Sequence, residues 1–173
     1  MNNGKRIYKG ITSKLISFQQ ILAILMLLML LTLVFVQVAL RSLNLPLMGI
    51  EELIIFPTIW LYMLGSANAS EERSQINVDI LEVFLSNSTV LTVIDFLKNL
   101  VSLLIGVVLV YWMFGFFTYS LSLWKLSPLI SMPMFFIESA LFVGVFLMTL
   151  YILFDFFDSI RKIINLFKSK GGV

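Results

Sequence analysis

Phe18–Leu40 reads FQQILAILMLLMLLTLVFVQVAL, twenty-three residues without one charged side chain. About 20 apolar residues wound as an α-helix cross the ~30 Å hydrocarbon layer of a bilayer. Lipid offers no partner to a free backbone N–H or C=O, so such a run has to be helical. A basic segment with Lys5, Arg6, Lys9 and Lys14 precedes it, as in a signal peptide. The apolar run is too long for one, and no small-x-small cleavage site follows. It reads as a retained anchor helix.

Three further runs extend the pattern, at about 50–69, 94–117 and 133–157. The expected fold is an all-α membrane protein, a single membrane domain over 1–173 with four transmembrane helices. Composition agrees: the chain is 60% hydrophobic, with a mean hydropathy of +1.00, whereas soluble domains are about 45–50% apolar. Cysteine and histidine are both absent. That excludes disulfides, thiolate chemistry, imidazole-ligated haem and the usual zinc sites. A quinone-linked disulfide oxidase, a b-type cytochrome and most intramembrane metalloproteases are excluded with them.

The net charge of +2 is small, but its distribution is asymmetric. Arg161, Lys162, Lys168 and Lys170 crowd the C-terminal segment as the four basic residues above crowd the N-terminal one. Loop Lys and Arg content sets membrane orientation, so both termini are expected in the cytoplasm. Segments 41–49 and 124–132 then face the periplasm or exterior, and 70–93 the cytoplasm. Trp112 and Trp124 suit the outer aromatic belt; Trp60, mid-span, is expected to pack on a neighbouring helix. Asn77 is a good N-cap for a short amphipathic interfacial helix, about 77–86, between spans two and three. Asp79, Glu82 and Ser86 share its polar face, which suits either docking onto a partner protein or a simple connection in the membrane surface.

Charges near hydrocarbon are costly and mark partners, ion paths or mechanism. Glu51 and Glu52 stand at the mouth of span two, where the helix dipole favours carboxylates. Their expected use is end-capping with contacts to a protein neighbour, with Arg41 as an available counter-ion. Gly65-x-x-x-Ala69 and Ser66-x-x-x-Ser70 match the small-xxx-small pattern of close helix contact. Asp95 and Lys98 are spaced as an i,i+3 pair. Glu138 reads as the acid more than a turn inside span four, within reach of Lys125, and either a helix contact or a transport site. There is no nucleophile–base set, phosphate loop or metal spacing. The chain is therefore read as a non-enzyme with no cofactor and no nucleic-acid partner. Without paired repeats and broken helices it is also a poor transporter alone, which points to an accessory subunit.

The ordered set Gln37-Val38-x-x-Arg41, Asn44-x-Pro46-Leu47, Glu51-Glu52-Leu53, a Gly65-containing span, Ile76-x-Val78-Asp79-x-Leu81 and Ser127-Pro128-x-x-x-Met132-Pro133-Met134 resembles the small membrane subunit of tripartite ATP-independent periplasmic (TRAP) transporters. The likeness runs from about Gln37 to Arg161. Glu71 and Glu72 stand where that family often has basic residues, and Gln75 where it often has histidine. The resemblance implies a scaffold in a bacterial inner membrane, embedded in lipid. It implies as partners a large, sodium-coupled, elevator-type membrane subunit and a periplasmic substrate-binding protein for an organic acid such as a sialic acid or a C4-dicarboxylate. Arg41, Glu51 and Glu52 become candidate contacts on the periplasmic side, and Arg73, Asp79 and Glu82 on the cytoplasmic side. The competing reading is a self-assembling small channel or proton-linked carrier that uses Glu138 or the Glu51/Glu52 pair.

Overall fold

A computed structural model of the chain describes residues 9–45, 48–72 and 88–170. Helix α1 covers Lys9–Ser42, α2 Ile50–Glu72, α3 Ser88–Leu123 and α4 Phe135–Lys170. Each is long and apolar enough to cross a membrane, so every expected span coincides with a helix, although the fourth helix begins at Phe135, two residues after the expected start at 133. Their ends differ from the apolar runs. The 36 residues of α3 and of α4 give lengths of about 54 Å at 1.5 Å per residue, well beyond the hydrocarbon thickness. Backbone hydrogen bonding continues after the apolar run stops, which is why Arg161 and Lys162 lie on helix. The interfacial helix expected at about 77–86 lies outside the described residues, as do Arg73, Asp79 and Glu82.

The helices form an open row. An extended interface joins α1 to α2, α2 to α4, and α4 to α3. The order across the molecule is therefore α1–α2–α4–α3, with α2 and α4 inside. The short connections α1–α2 and α3–α4 meet at one end, hereafter the loop end; the other is the tail end. In the most apolar stretch of α1 no residue is buried, whereas α2 and α4 carry most of the core.

That core follows the helical repeat. Pro57, Leu64 and Ala67 line one side of α2, and Ile137, Ala140 and Tyr151 one side of α4. Gly144 lets the two helices close: a Cβ built there would lie 2.6 Å from Met63 Cβ. Ala140-x-x-x-Gly144 is thus a small-xxx-small contact that operates within the chain. Pro57 sits inside α2 and removes one ladder donor. Thr58, one residue on, turns its hydroxyl back to Ile54 O at 2.7 Å, so this side-chain donor is satisfied within the helix.

Between α3 and α4 the packing is aromatic. Phe117 lies 5.2 Å from Phe142 and 5.3 Å from Phe135, and Trp124 stacks on Phe135 at 6.1 Å. At the tail end Phe96 stacks on Phe156, and Asn99 Nδ2 donates to Ser159 Oγ at 2.6 Å. Asp95 meets Lys162 of α4 at 3.9 Å, both half-exposed. Spacing along α3 had pointed to Lys98 as its neighbour; the fold adds a partner from another helix. Trp60 behaves as its mid-span position predicted, donating from Nε1 to Phe136 O on α4 at 2.9 Å.

Candidate functional site

The polar groups at the loop end are built on the start of α2. Gly49, at φ 98°, is the N-cap: its carbonyl accepts from Glu52 N at 3.0 Å and Leu53 N at 3.3 Å. Glycine adopts such a φ without steric cost. Space demands glycine as well, since a Cβ there would stand 2.8 Å from Ile130 Cγ1. Glu51 and Glu52 therefore occupy the first turn of α2, where free N–H groups and the dipole favour negative charge.

The two acids then diverge. Glu51 is exposed and, among the described residues, receives a single long contact, from Gln37 Nε2 of α1 at 3.5 Å. Glu52 is half-buried and turns inward to the α3–α4 loop. Its carboxylate accepts from the Ser127 hydroxyl. It also accepts from Leu129 N at 3.3 Å and Ile130 N at 3.2 Å. Ser127 itself is buried, 7% exposed.

The loop that offers these donors is tightly folded. Ser127 N donates to Met132 O at 2.9 Å, Ser131 N to Ser127 O at 3.0 Å, and Met134 N to Lys125 O at 2.9 Å. Leu126 and Pro133 pair as an antiparallel bridge. Trp124 and Ser131 adopt left-handed φ values of 42° and 57°.

Arg41, the expected counter-ion, is exposed in the last turn of α1. The glutamates take Gln37 and the loop as partners instead. Sequence proximity favoured Arg41, but it is Gln37, one turn earlier on α1, that reaches the first carboxylate of α2. Glu138 also differs from expectation. Helix α4 starts at Phe135, so Glu138 lies in its first turn and not deeper in the span. Its partner is the hydroxyl of the buried Ser120 on α3, and not Lys125. Gly65 faces outward, with nothing within 4 Å of a Cβ built on it.

A second polar constellation, unremarked in the sequence, lies towards the tail end. Gln19 of α1 is 2% exposed and Tyr151 of α4 3%. Gln19 Nε2 donates to Leu64 O of α2 at 3.1 Å, while Tyr151 Oη donates to Gln19 Oε1 at 2.8 Å. One amide thus ties three helices. The signal was present in principle, since a glutamine at the edge of an apolar run needs partners, but nothing along the chain identifies Leu64 or Tyr151 as those partners.

Chemically, the arrangement binds the chain to itself and leaves some charge outward. Among the described residues no three acidic groups stand together as a metal site. Glu51, Glu52 and Glu138 all sit in the first turns of their helices, at the loop end, and not midway along them. In a comparison with protein families, residues 20–162 match the family described as "Tripartite ATP-independent periplasmic transporters, DctQ component". No curated protein matches the chain.

Proposed function

The chain belongs to the DctQ component family of tripartite ATP-independent periplasmic transporters, and from that premise we propose that it is the scaffold on which a sodium-coupled uptake system for an organic acid is assembled. As a member it is a small multi-pass membrane subunit of a transporter and not an enzyme. Its proposed partners are a large, multi-helix, elevator-type subunit that moves the substrate, and a periplasmic binding protein that delivers it. The substrate class is an organic acid such as a sialic acid or a C4-dicarboxylate, and the location a bacterial inner membrane. The basic tail end faces the cytoplasm and the loop end the periplasm, as the distribution of Lys and Arg supports. Arg41 and Glu51, both exposed at the loop end, are offered to partners there; Gly65 is offered to a helix of the large subunit. Arg73, Asp79 and Glu82 remain the proposed cytoplasmic contacts.

The observation that carries this reading is a family match running from α1 into α4. The position of the acids supports it. An ion-handling carrier needs carboxylates along a path through the membrane, and Glu51, Glu52 and Glu138 are engaged at one end. The test is a mild-detergent pull-down of the tagged chain from its native membrane, with a transport assay after deletion of the chain. Co-purification of a stoichiometric large membrane protein, with transport lost on deletion, is the expected result. A chain that emerges as a homo-oligomer and conducts ions by itself would overturn it in favour of the channel or carrier.

A further inference from the structure

The two neighbouring acids at the start of α2 have different surroundings, and the difference assigns them different work. Both oxygens of Glu52 are directed into the α3–α4 loop. They meet one buried hydroxyl, Ser127, and two backbone N–H groups, Leu129 and Ile130. Gly49 presses against the same tip, where any side chain would collide with Ile130. The tip itself has no large core beneath it: Leu126 is 54% exposed and Leu129 60%. Apolar burial at the tip is therefore partial, and the left-handed Trp124 and Ser131 work against the loop's conformation, because non-glycine residues adopt that region at a cost. A charged acceptor that gathers three donors is the charge-assisted tie between this loop and α2. Glu51, one residue earlier, reaches only Gln37 among the described residues and is exposed.

We infer that Glu52 is a positioning residue that acts inside the chain, holding the 124–134 loop in one conformation against α2, while Glu51 is the acid left to face a partner. Resting on the proposed reading of the loop end as the periplasmic face, the held loop is part of what the binding protein meets. Loosening it raises the concentration of binding protein needed for half-maximal transport and leaves the maximal rate intact.

Amide hydrogen exchange on the full complex in lipid nanodiscs reads the first half directly, because Leu129 N and Ile130 N are two of the donors. Glu52→Ala is expected to speed exchange at both by about tenfold or more, as loss of a charge-assisted hydrogen bond implies. Glu52→Gln, which keeps one carbonyl acceptor, lies between, and Glu51→Gln leaves both amides unchanged. Unchanged exchange in Glu52→Ala overturns the inference. Should that variant fail to fold, Glu52→Gln serves in its place, and unchanged exchange at both amides there has the same consequence. The second half is read in proteoliposomes: faster exchange with a raised half-saturation supports it, and faster exchange with only a lowered maximal rate overturns it. Failure of the wider reading shows separately, as transport that persists when the chain is deleted, whatever the amides report.

Discussion

At the scale of single residues, the glycines show which surfaces are spent and which are free. Gly144 has Met63 Cβ, Sδ and Cγ within 3.1 Å of the position a Cβ would take. Met63 Cβ is fixed to its helix and cannot swing aside. Gly144→Ala should therefore push α2 from α4 and cost about 1–3 kcal/mol, the usual range for overpacking; thermal unfolding of the purified chain followed by tryptophan fluorescence would show it. Gly65 has open space, so Gly65→Ala should leave the stability of the chain unchanged or raise it by up to about 1 kcal/mol through helix propensity. If the large subunit packs a helix there, the same change weakens co-purification. Normal co-purification with Gly65→Leu would remove Gly65 from the interface. The small-xxx-small pattern flags both sites alike, since it reports how closely a backbone can be approached and not what approaches it.

At the scale of elements, the helices were legible in the chain and their partners were not. In lipid the apolar side chains of neighbouring helices gain little from leaving the solvent, so packing detail and polar contacts decide which surfaces meet. The Gln19–Leu64–Tyr151 clasp is such a contact and fastens α1 near its tail end. Tyr151→Phe should cost about 0.6 kcal/mol, up to about 1.7, as interhelical hydrogen bonds in membranes do. Gln19→Leu should cost more, because it strands the Tyr151 hydroxyl in a buried site. A double-mutant cycle measured by unfolding in mixed micelles should show coupling between them; strictly additive effects would mean that the hydrogen bond contributes nothing. Asp95→Asn, by contrast, breaks a half-exposed ion pair and should change stability by no more than about 1 kcal/mol.

At the scale of the whole molecule, an open row of helices has two edges, and here the edges are α1 and α3. Phe18, Phe35 and Val38 of α1 are at least 62% exposed, as are Tyr111 and Trp112 of α3. Such surfaces belong against lipid or another membrane protein. Orientation is checked with single cysteines, for which the cysteine-free chain is ready-made. Ser131→Cys at the loop end should react with an impermeant maleimide in intact spheroplasts, and Asn165→Cys at the tail end only after permeabilisation. The reverse pattern would place the basic tails outside and remove the proposed periplasmic role of Glu51.

What the sequence determined by itself was the existence, number and helical nature of the spans. Backbone hydrogen bonding in a helix is satisfied within a few residues, so about 20 apolar residues suffice to require one. It also determined the family, through an ordered set of motifs spread over the chain, and the acid-rich start of α2. Only the tertiary structure decided the lateral order α1–α2–α4–α3 and the separate fates of Glu51 and Glu52. It alone brought Ser120 to Glu138, and Tyr151 to Gln19 across 132 positions of chain. The physical reason is common to all of these. A face that meets lipid and a face that meets another helix are both apolar, so periodicity along the chain distinguishes neither, and the partner of a polar side chain lies on another helix whose place is known only when the row is assembled.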